Sequence, residues 1–474
     1  VIALAVSELR RRGTQHVSTV LVAIIASVFA TMLIEMDTVL QAQSIGGGFI
    51  EHGFVRLLLD VLGLVFLFVA TFVACLVTAN TFGIIMAGRI KRIALLRLIG
   101  ATAKDLRGAV VIEGALVGLV GALAGVVVGT VLTQLLSGFL VSTGAFTAVR
   151  MHLLTPTLVV PVLVGVLSTA GAAWFGSRRI LQVSPIEATR RTEEPSAASL
   201  RVTGAAHRGV TFALFFGGLA LLVCGIVLGL KTPFALFIAA PGGALSFLGF
   251  VLGSSIFLPP TLRLAGRVTG TRPASALASA NALRYPARSA RSAVGLTIGV
   301  TLVTMFAVAA RSFTAEATPV AASGSGPEVA SNQAFLNMTL GILGVLIGFS
   351  LVIAAIGFVN SLSLSVLQRR REIGLLRALG FTRPQIRQMV FAESIQLTIV
   401  GGVTGLVFGI FYGWAGVTVA IASDDHIRGL FWPTIPLTLV AAVVLGTFAL
   451  ATLAALVPSR RATRLSPVTA LATE

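Results

Sequence analysis

Lys91, Lys104 and Lys231 are the only lysines in the chain, and they follow Ile90, Ala103 and Leu230. A phosphate-binding loop needs glycine ahead of its lysine so that backbone amides can cradle the phosphates. The sequence has no such loop, so any ATP hydrolysis in this system is expected from another chain. None of the five histidines (His16, His52, His152, His207 and His426) is followed by Glu, which removes the His-Glu-x-x-His zinc-protease helix. Cys75 and Cys224 lie in apolar runs with no metal-ligand spacing, where free cysteine behaves as a small hydrophobe. Gly324-Ser325-Gly326 falls in a stretch rich in Ala, Ser and Gly and reads as linker rather than as a nucleophile site. Glu35, Asp37, Asp60 and Arg311 fall near the outer ends of apolar segments and read as solvated at an interface. Glu113 and Glu393 begin two such segments, where a helix-terminus role or pairing with nearby arginines is expected. The expectation is therefore a chain with no catalytic residue, no metal site and no cofactor of its own, and no enzyme.

The elements that must hold these residues are membrane spans. Of 474 residues 56% are hydrophobic and only 11% charged, and the mean hydropathy is +0.98. A soluble fold of this size could not bury so much apolar surface. A span needs roughly 20 mostly apolar residues. Ten are expected, at about 18–39, 58–84, 108–140, 156–176, 210–230, 234–257, 292–311, 335–362, 389–420 and 434–457. The third and ninth exceed what a bilayer requires, so they tilt or extend beyond it. The net charge of +18 would suggest nucleic acid in a soluble protein. Here thirty of the thirty-five Lys and Arg fall in loops on one side of the expected spans, so both termini are assigned to the cytoplasm and no nucleic acid is expected. Arg10, Arg11 and Arg12 precede a first apolar run long enough to remain a span, and no cleavable signal peptide is expected. The segment 312–334 is expected to be a flexible linker.

The sequence repeats itself. Shifted by 280 residues, 89–129 lies over 369–409 without a gap, and fifteen of forty-one positions are identical. Matches include Arg97/Arg377, Gly100/Gly380, Thr102/Thr382, Arg107/Arg387 and Glu113/Glu393. Biased composition would not align Arg, Gly, Thr and Glu together. The expected fold class is an all-α polytopic membrane protein: two parallel four-helix repeats, 1–190 and 275–474, joined by 191–274 with its two-helix hairpin. Gly121, Gly125 and Gly129, and likewise Gly401, Gly405 and Gly409, line one face of their helices and are expected to let helices pack backbone to backbone.

Between expected spans, Lys91–Gly100 and Arg371–Gly380 each read as a short helix. Ile93, Leu96 and Ile99, and likewise Ile373, Leu376 and Leu379, give it an apolar face, with Arg97 and Arg377 opposite. Gly100 and Gly380 fit a C-cap, and Thr102 and Thr382 an N-cap for the next element. Such a helix could lie on anionic lipid or dock a cytoplasmic partner. Its occurrence in both halves favours docking, since a two-fold partner needs two equivalent sockets.

The run Arg371-Glu372-Ile373-Gly374-Leu375-Leu376-Arg377-Ala378-Leu379-Gly380, followed by Glu393, resembles the signature of the FtsX-like (MacB-type) permease family of ABC transporters. That resemblance implies that this loop is the coupling helix seated in a cleft of an ATPase subunit. The site residues it implies are Ile93, Leu96, Arg97, Gly100, Glu372, Ile373, Leu376, Arg377 and Gly380. The first copy departs at Arg92 and Ala94, which stand where the second has Glu372 and Gly374. The layout is similar to permeases of bacitracin-type peptide-resistance transporters, without their large external domain. The resemblance implies a permease in the bacterial cytoplasmic membrane, among membrane lipid, with two copies of a cytoplasmic ABC ATPase as partners. ATP and Mg would be bound there and not by this chain. A substrate-binding, accessory or sensor protein would be an optional third partner. The cargo class implied is amphipathic or lipid-like, and no substrate residues stand out. The alternative is a mechanical transmitter that moves nothing and regulates a wall hydrolase or sensor kinase.

Overall fold

The computed structural model describes 19–35, 93–142, 158–177, 205–284, apart from 269–272, 286–321, 376, 379–422 and parts of 64–86, 340–352 and 430–449. Among the described residues every regular element is a helix. We label the principal helices α1 (Thr19–Glu35), α2 (Ala103–Ser142), α3 (Val159–Gly176), α4 (Ala205–Gly229), α5 (Leu236–Leu252), α6 (Ser254–Val268), α7 (Pro273–Arg284), α8 (Pro286–Ala321) and α9 (Arg383–Ile421). Five of these, α2, α3, α4, α8 and α9, are long and apolar enough to cross a membrane, and α5 with α6 forms a sixth candidate bent by 71°. The chain is an all-α polytopic membrane protein. The expected spans at 58–84, 335–362 and 434–457 are described only in part.

The chain divides into two compact units, Val1–Thr192 and Glu193–Glu474. In the first, α2 is the shared wall. A Cβ added at Gly121 would lie 2.5 Å from the Cβ of Ala23, at Gly125 2.6 Å from that of Ser27, and at Gly129 2.8 Å from that of Thr31. The glycines are spaced by four, so they form one stripe, and α1 seats against it with backbones nearly touching. Toward the N-terminus of α2 the same face meets α3, where a Cβ on Gly114 would come 2.6 Å from Ala173.

The second unit repeats this contact. Cβ atoms at Gly405 and Gly409 would lie 2.7 Å from Val300 and 2.5 Å from Thr304 on α8, and Gly401 meets Leu296. Gly121, Gly125 and Gly129 shifted by 280 give Gly401, Gly405 and Gly409. Their partners Ala23, Ser27 and Thr31 shifted by 273 give Leu296, Val300 and Thr304. The duplication visible in the sequence is thus matched rung by rung in helix packing. In the span-length window of α8, 89% of residues are buried, against 28% for α3 or α4, so α8 is the core helix of its unit.

Helices α4 and α5 form a hairpin through their own small residues. A Cβ on Gly225 would stand 2.7 Å from Ala239, and one on Gly242 2.6 Å from the backbone of Leu222. The hairpin is fixed to α9 by rings: Phe408 lies 4.7 Å from Phe250 and 5.9 Å from Phe247 between centroids. Ser246 and Tyr412 share a hydrogen bond of 2.7 Å between their hydroxyls.

One expectation is corrected. The linker expected from 312 is helical as far as Ala321. Phe313 is buried with Val417 and Ile421 of α9, and the Ala-rich stretch 315–317 continues the helix on good propensity.

Candidate coupling site

The first candidate segment forms a short helix over 93–98 that ends in a complete Schellman turn. The amide of Ala101 donates to Leu96 O at 2.9 Å and that of Gly100 to Arg97 O at 3.1 Å. Gly100 has φ of +101°, a left-handed conformation that glycine adopts without steric cost. The chain then enters α2 directly. The Thr102 hydroxyl and Asp105 carboxylate are 2.5 Å apart, and the Asp105 amide donates back to Thr102 Oγ1 at 3.1 Å. This cap satisfies an amide of the first helical turn.

The second copy is built alike. Phe381 N–H donates to Leu376 O at 3.0 Å, and Gly380 has φ of +94°. Thr382 is the N-cap of α9, and its amide and hydroxyl both donate to Gln385 Oε1, at 2.8 and 2.9 Å. Glu372, Ile373 and Arg377 lie outside the described residues. So does any pairing of Gly380 with Arg377.

Part of the apolar face expected to meet a partner is turned inward. Ile93 is buried among Phe82, Met86, Leu106, Val110 and Ala173, with Leu96 packed on the same cluster. Leu376 does the same in its unit, against Ala278, Ile386, Met389 and Val390. These residues hold the turn to the body of the unit. The residues that point away are Leu95, Leu98 and Ile99, the last 82% exposed, and in the second copy Leu379 and Phe381, with Leu379 70% exposed. Ile99 and Leu379 belong to the expected apolar face, whereas Leu95, Leu98 and Phe381 do not, because spacing within so short a helix marks one stripe and leaves the leucines beside it unassigned. The identity of Leu95 with Leu375 was the available signal.

Neighbouring groups brace the site. Arg107, one turn into α2, donates to Trp174 O at 3.1 Å, and its guanidinium lies 4.2 Å over the Trp174 ring. A cation near the C-terminal carbonyls of α3 is favourably placed against the helix dipole. Glu113 and Glu393 are buried, at 2% and 5% exposure, deeper than a solvated helix end would place them. In the second unit α7 backs the turn through Leu277 and Ala278, and Gln396 Nε2 donates to Ser279 Oγ at 2.7 Å. Among the described residues no group of His, Cys, Asp or Glu could hold a metal ion.

The arrangement is thus a pair of matching, rigidly capped turns, each offering apolar side chains outward from the start of a long helix. The FtsX-like permease C-terminal domain matches the chain twice, over 64–185 and 344–467. Together these matches cover just over half the chain, they begin 280 residues apart, and each contains one of the two turns. The chain belongs to the FtsX-like permease family.

Among individual proteins, it is similar to an uncharacterised ABC transporter permease, YknZ, of Bacillus subtilis strain 168, at 37% identity over 131 residues, 27% of this chain and 30% of the relative. It is similar to the pyoverdine export ATP-binding/permease protein PvdT of Pseudomonas entomophila at 33% over 137 residues, 28% of this chain and 19% of the relative. The macrolide export ATP-binding/permease protein MacB of Photorhabdus laumondii is 34% identical over 125 residues, 26% of this chain and 18% of the relative. The matched stretch spans less than a third of the length of each of these relatives.

Proposed function

We propose that this chain is the membrane subunit of an ATP-driven exporter, that separate cytoplasmic ATPase subunits dock on its two turns, and that it moves or extracts an amphipathic or lipid-like substrate. The observation that carries this reading is the pair of equivalent apolar turns, Leu95, Leu98 and Ile99 in one unit and Leu379 and Phe381 in the other. Both are held by the same 6→1 backbone bond. Exposed leucine and isoleucine on a structured, non-membrane turn call for a cover. The names of PvdT and MacB combine ATP binding with export, and export is the direction assigned here. In this reading both turns face the cytoplasm and both termini lie on that side.

The test is recovery of the ATPase that co-purifies with the wild-type chain. Burying an apolar side chain contributes roughly 1.5–3 kcal/mol, and a carboxylate in its place adds an unpaired charge to a dry contact. Ile99→Asp with Leu379→Asp should reduce ATPase recovery more than tenfold while leaving membrane insertion and thermal unfolding of the chain unchanged. Stoichiometric recovery with the double variant would defeat the reading and return the turn to a lipid-resting role.

A further inference from the structure

We infer that α6 is an interfacial helix whose outer face binds anionic phospholipid headgroups. The argument begins at the break before it. Gly253 is crowded by the Thr211 methyl of α4 and the Phe257 ring, and there the chain bends by 71°. Helix α5 is 17 mostly apolar residues long, about 25 Å of rise, most of a hydrocarbon core. Membrane helices tilt by about 20° on average, so a helix turned 71° from a span lies close to the membrane plane.

The side chains of α6 divide as an in-plane helix requires. Leu258, Leu262 and Ala265 are buried, none more than 3% exposed, and they face their own unit. Arg263, Leu264 and Arg267 are exposed, with Leu264 at 62%. An apolar residue between two arginines on an outward face suits the boundary between acyl chains and charged headgroups. Arg208 is also exposed, and it lies one turn before Thr211, the residue that presses on Gly253. Arg263 and Arg267 thus stand one turn apart at the C-terminal end of α6, with Arg208 near its start, and guanidiniums match phosphate oxygens in charge and geometry. That end is also where the second turn sits. A Cβ on Gly266 would lie 2.8 Å from Ser279 of α7, and α7 packs on Leu376 through Ala278. Lipid bound at α6 would thus sit two contacts from the turn.

This inference uses the basic end of the spans as the membrane boundary and does not depend on ATPase docking. The experiment is native mass spectrometry of the full chain released from nanodiscs of phosphatidylglycerol, and separately of phosphatidylcholine. An arginine near an anionic surface contributes about fivefold in affinity. Arg263→Gln with Arg267→Gln should therefore lower retained phosphatidylglycerol at least tenfold, with phosphatidylcholine retention low and unchanged. Arg311→Gln should behave as wild type. Equal retention of both lipids, or unchanged phosphatidylglycerol in the double variant, would overturn the inference. Release of the lipid by millimolar inorganic phosphate would also overturn it, because it would reveal a free-phosphate site. So would loss of the co-purifying ATPase with lipid retained, because it would reveal a protein contact.

Discussion

Gly100 and Gly380 act through torsion alone. Both have positive φ, and a Cβ at either would meet nothing within 4 Å. Gly100→Ala or Gly380→Ala should therefore cost about 1–2 kcal/mol from the left-handed backbone with no steric clash. Asparagine, which tolerates that region, should cost less. Thermal unfolding in detergent measures both, and equal midpoints for glycine, asparagine and alanine would show that the turn is not held as described. The Gly and Thr positions of these turns were legible in sequence because each has one strong local reason to be where it is. The side-chain partition was not. Apolar character and regular spacing suit Ile93 and Leu96 to a partner's surface, yet the same property suits them to their own unit's core. Leu95 next to Leu96 differs from it only in direction, and direction is set by where Phe82, Leu106 and Ala173 lie, which no spacing within the segment encodes.

At the scale of elements, the glycine stripes separate crowding from composition. At Gly125 an added methyl would meet the carbonyl oxygen of Ile24 at 2.6 Å, whereas at Gly138, on the same helix, it would meet nothing within 4 Å. Gly125→Ala should lower the unfolding midpoint, since backbone cannot swing aside, with a cost of about 1–3 kcal/mol. Gly138→Ala should be neutral or raise it by up to about 1 kcal/mol through helix propensity. A reversed order would count against the contact between α1 and α2. The hairpin gives a second comparison. Tyr412→Phe removes the hydrogen bond to Ser246 and keeps the ring, for about 0.5–1.5 kcal/mol. Tyr412→Ala also empties the aromatic cluster, for about 3–5 kcal/mol. If both cost the same, the rings do not fasten α4 and α5 to α9. The stripes were legible because glycine at every fourth residue has few other uses in a long apolar helix. The attachment of the hairpin to α9 was not legible: Phe215, Phe247 and Phe250 sit in helices apolar on every side, so hydrophobic pattern marks no face as the inner one.

For the whole molecule, two turns in one chain predict two ATPase subunits per copy. Native mass spectrometry of the purified complex should give that ratio. One ATPase per chain, or a dimer of this chain with two, would contradict it. The sequence displayed this two-fold plan because the repeat is ungapped through the turns and the stripes.

Helices α2 and α9 have 40 and 39 residues, so each is about 60 Å long, roughly twice the hydrocarbon thickness. Each is gripped along its glycine stripe and carries its capped turn at the end beyond it. From Gly121 to Thr102 is nineteen residues, about 29 Å. Such a rod, moving together with the α3 packed on it at Gly114, would act as a lever with its fulcrum at the stripe. Rocking α2 by about 10° would carry the turn sideways by about 5 Å, the pitch of one helical turn. A small angular play at the glycines, where no side chain interlocks, would thus become a stroke as long as a side chain at the partner's surface. Removing the fulcrum, for instance with a bulky residue at Gly129 that would drive α1 off the stripe, would weaken that stroke without touching the turn itself.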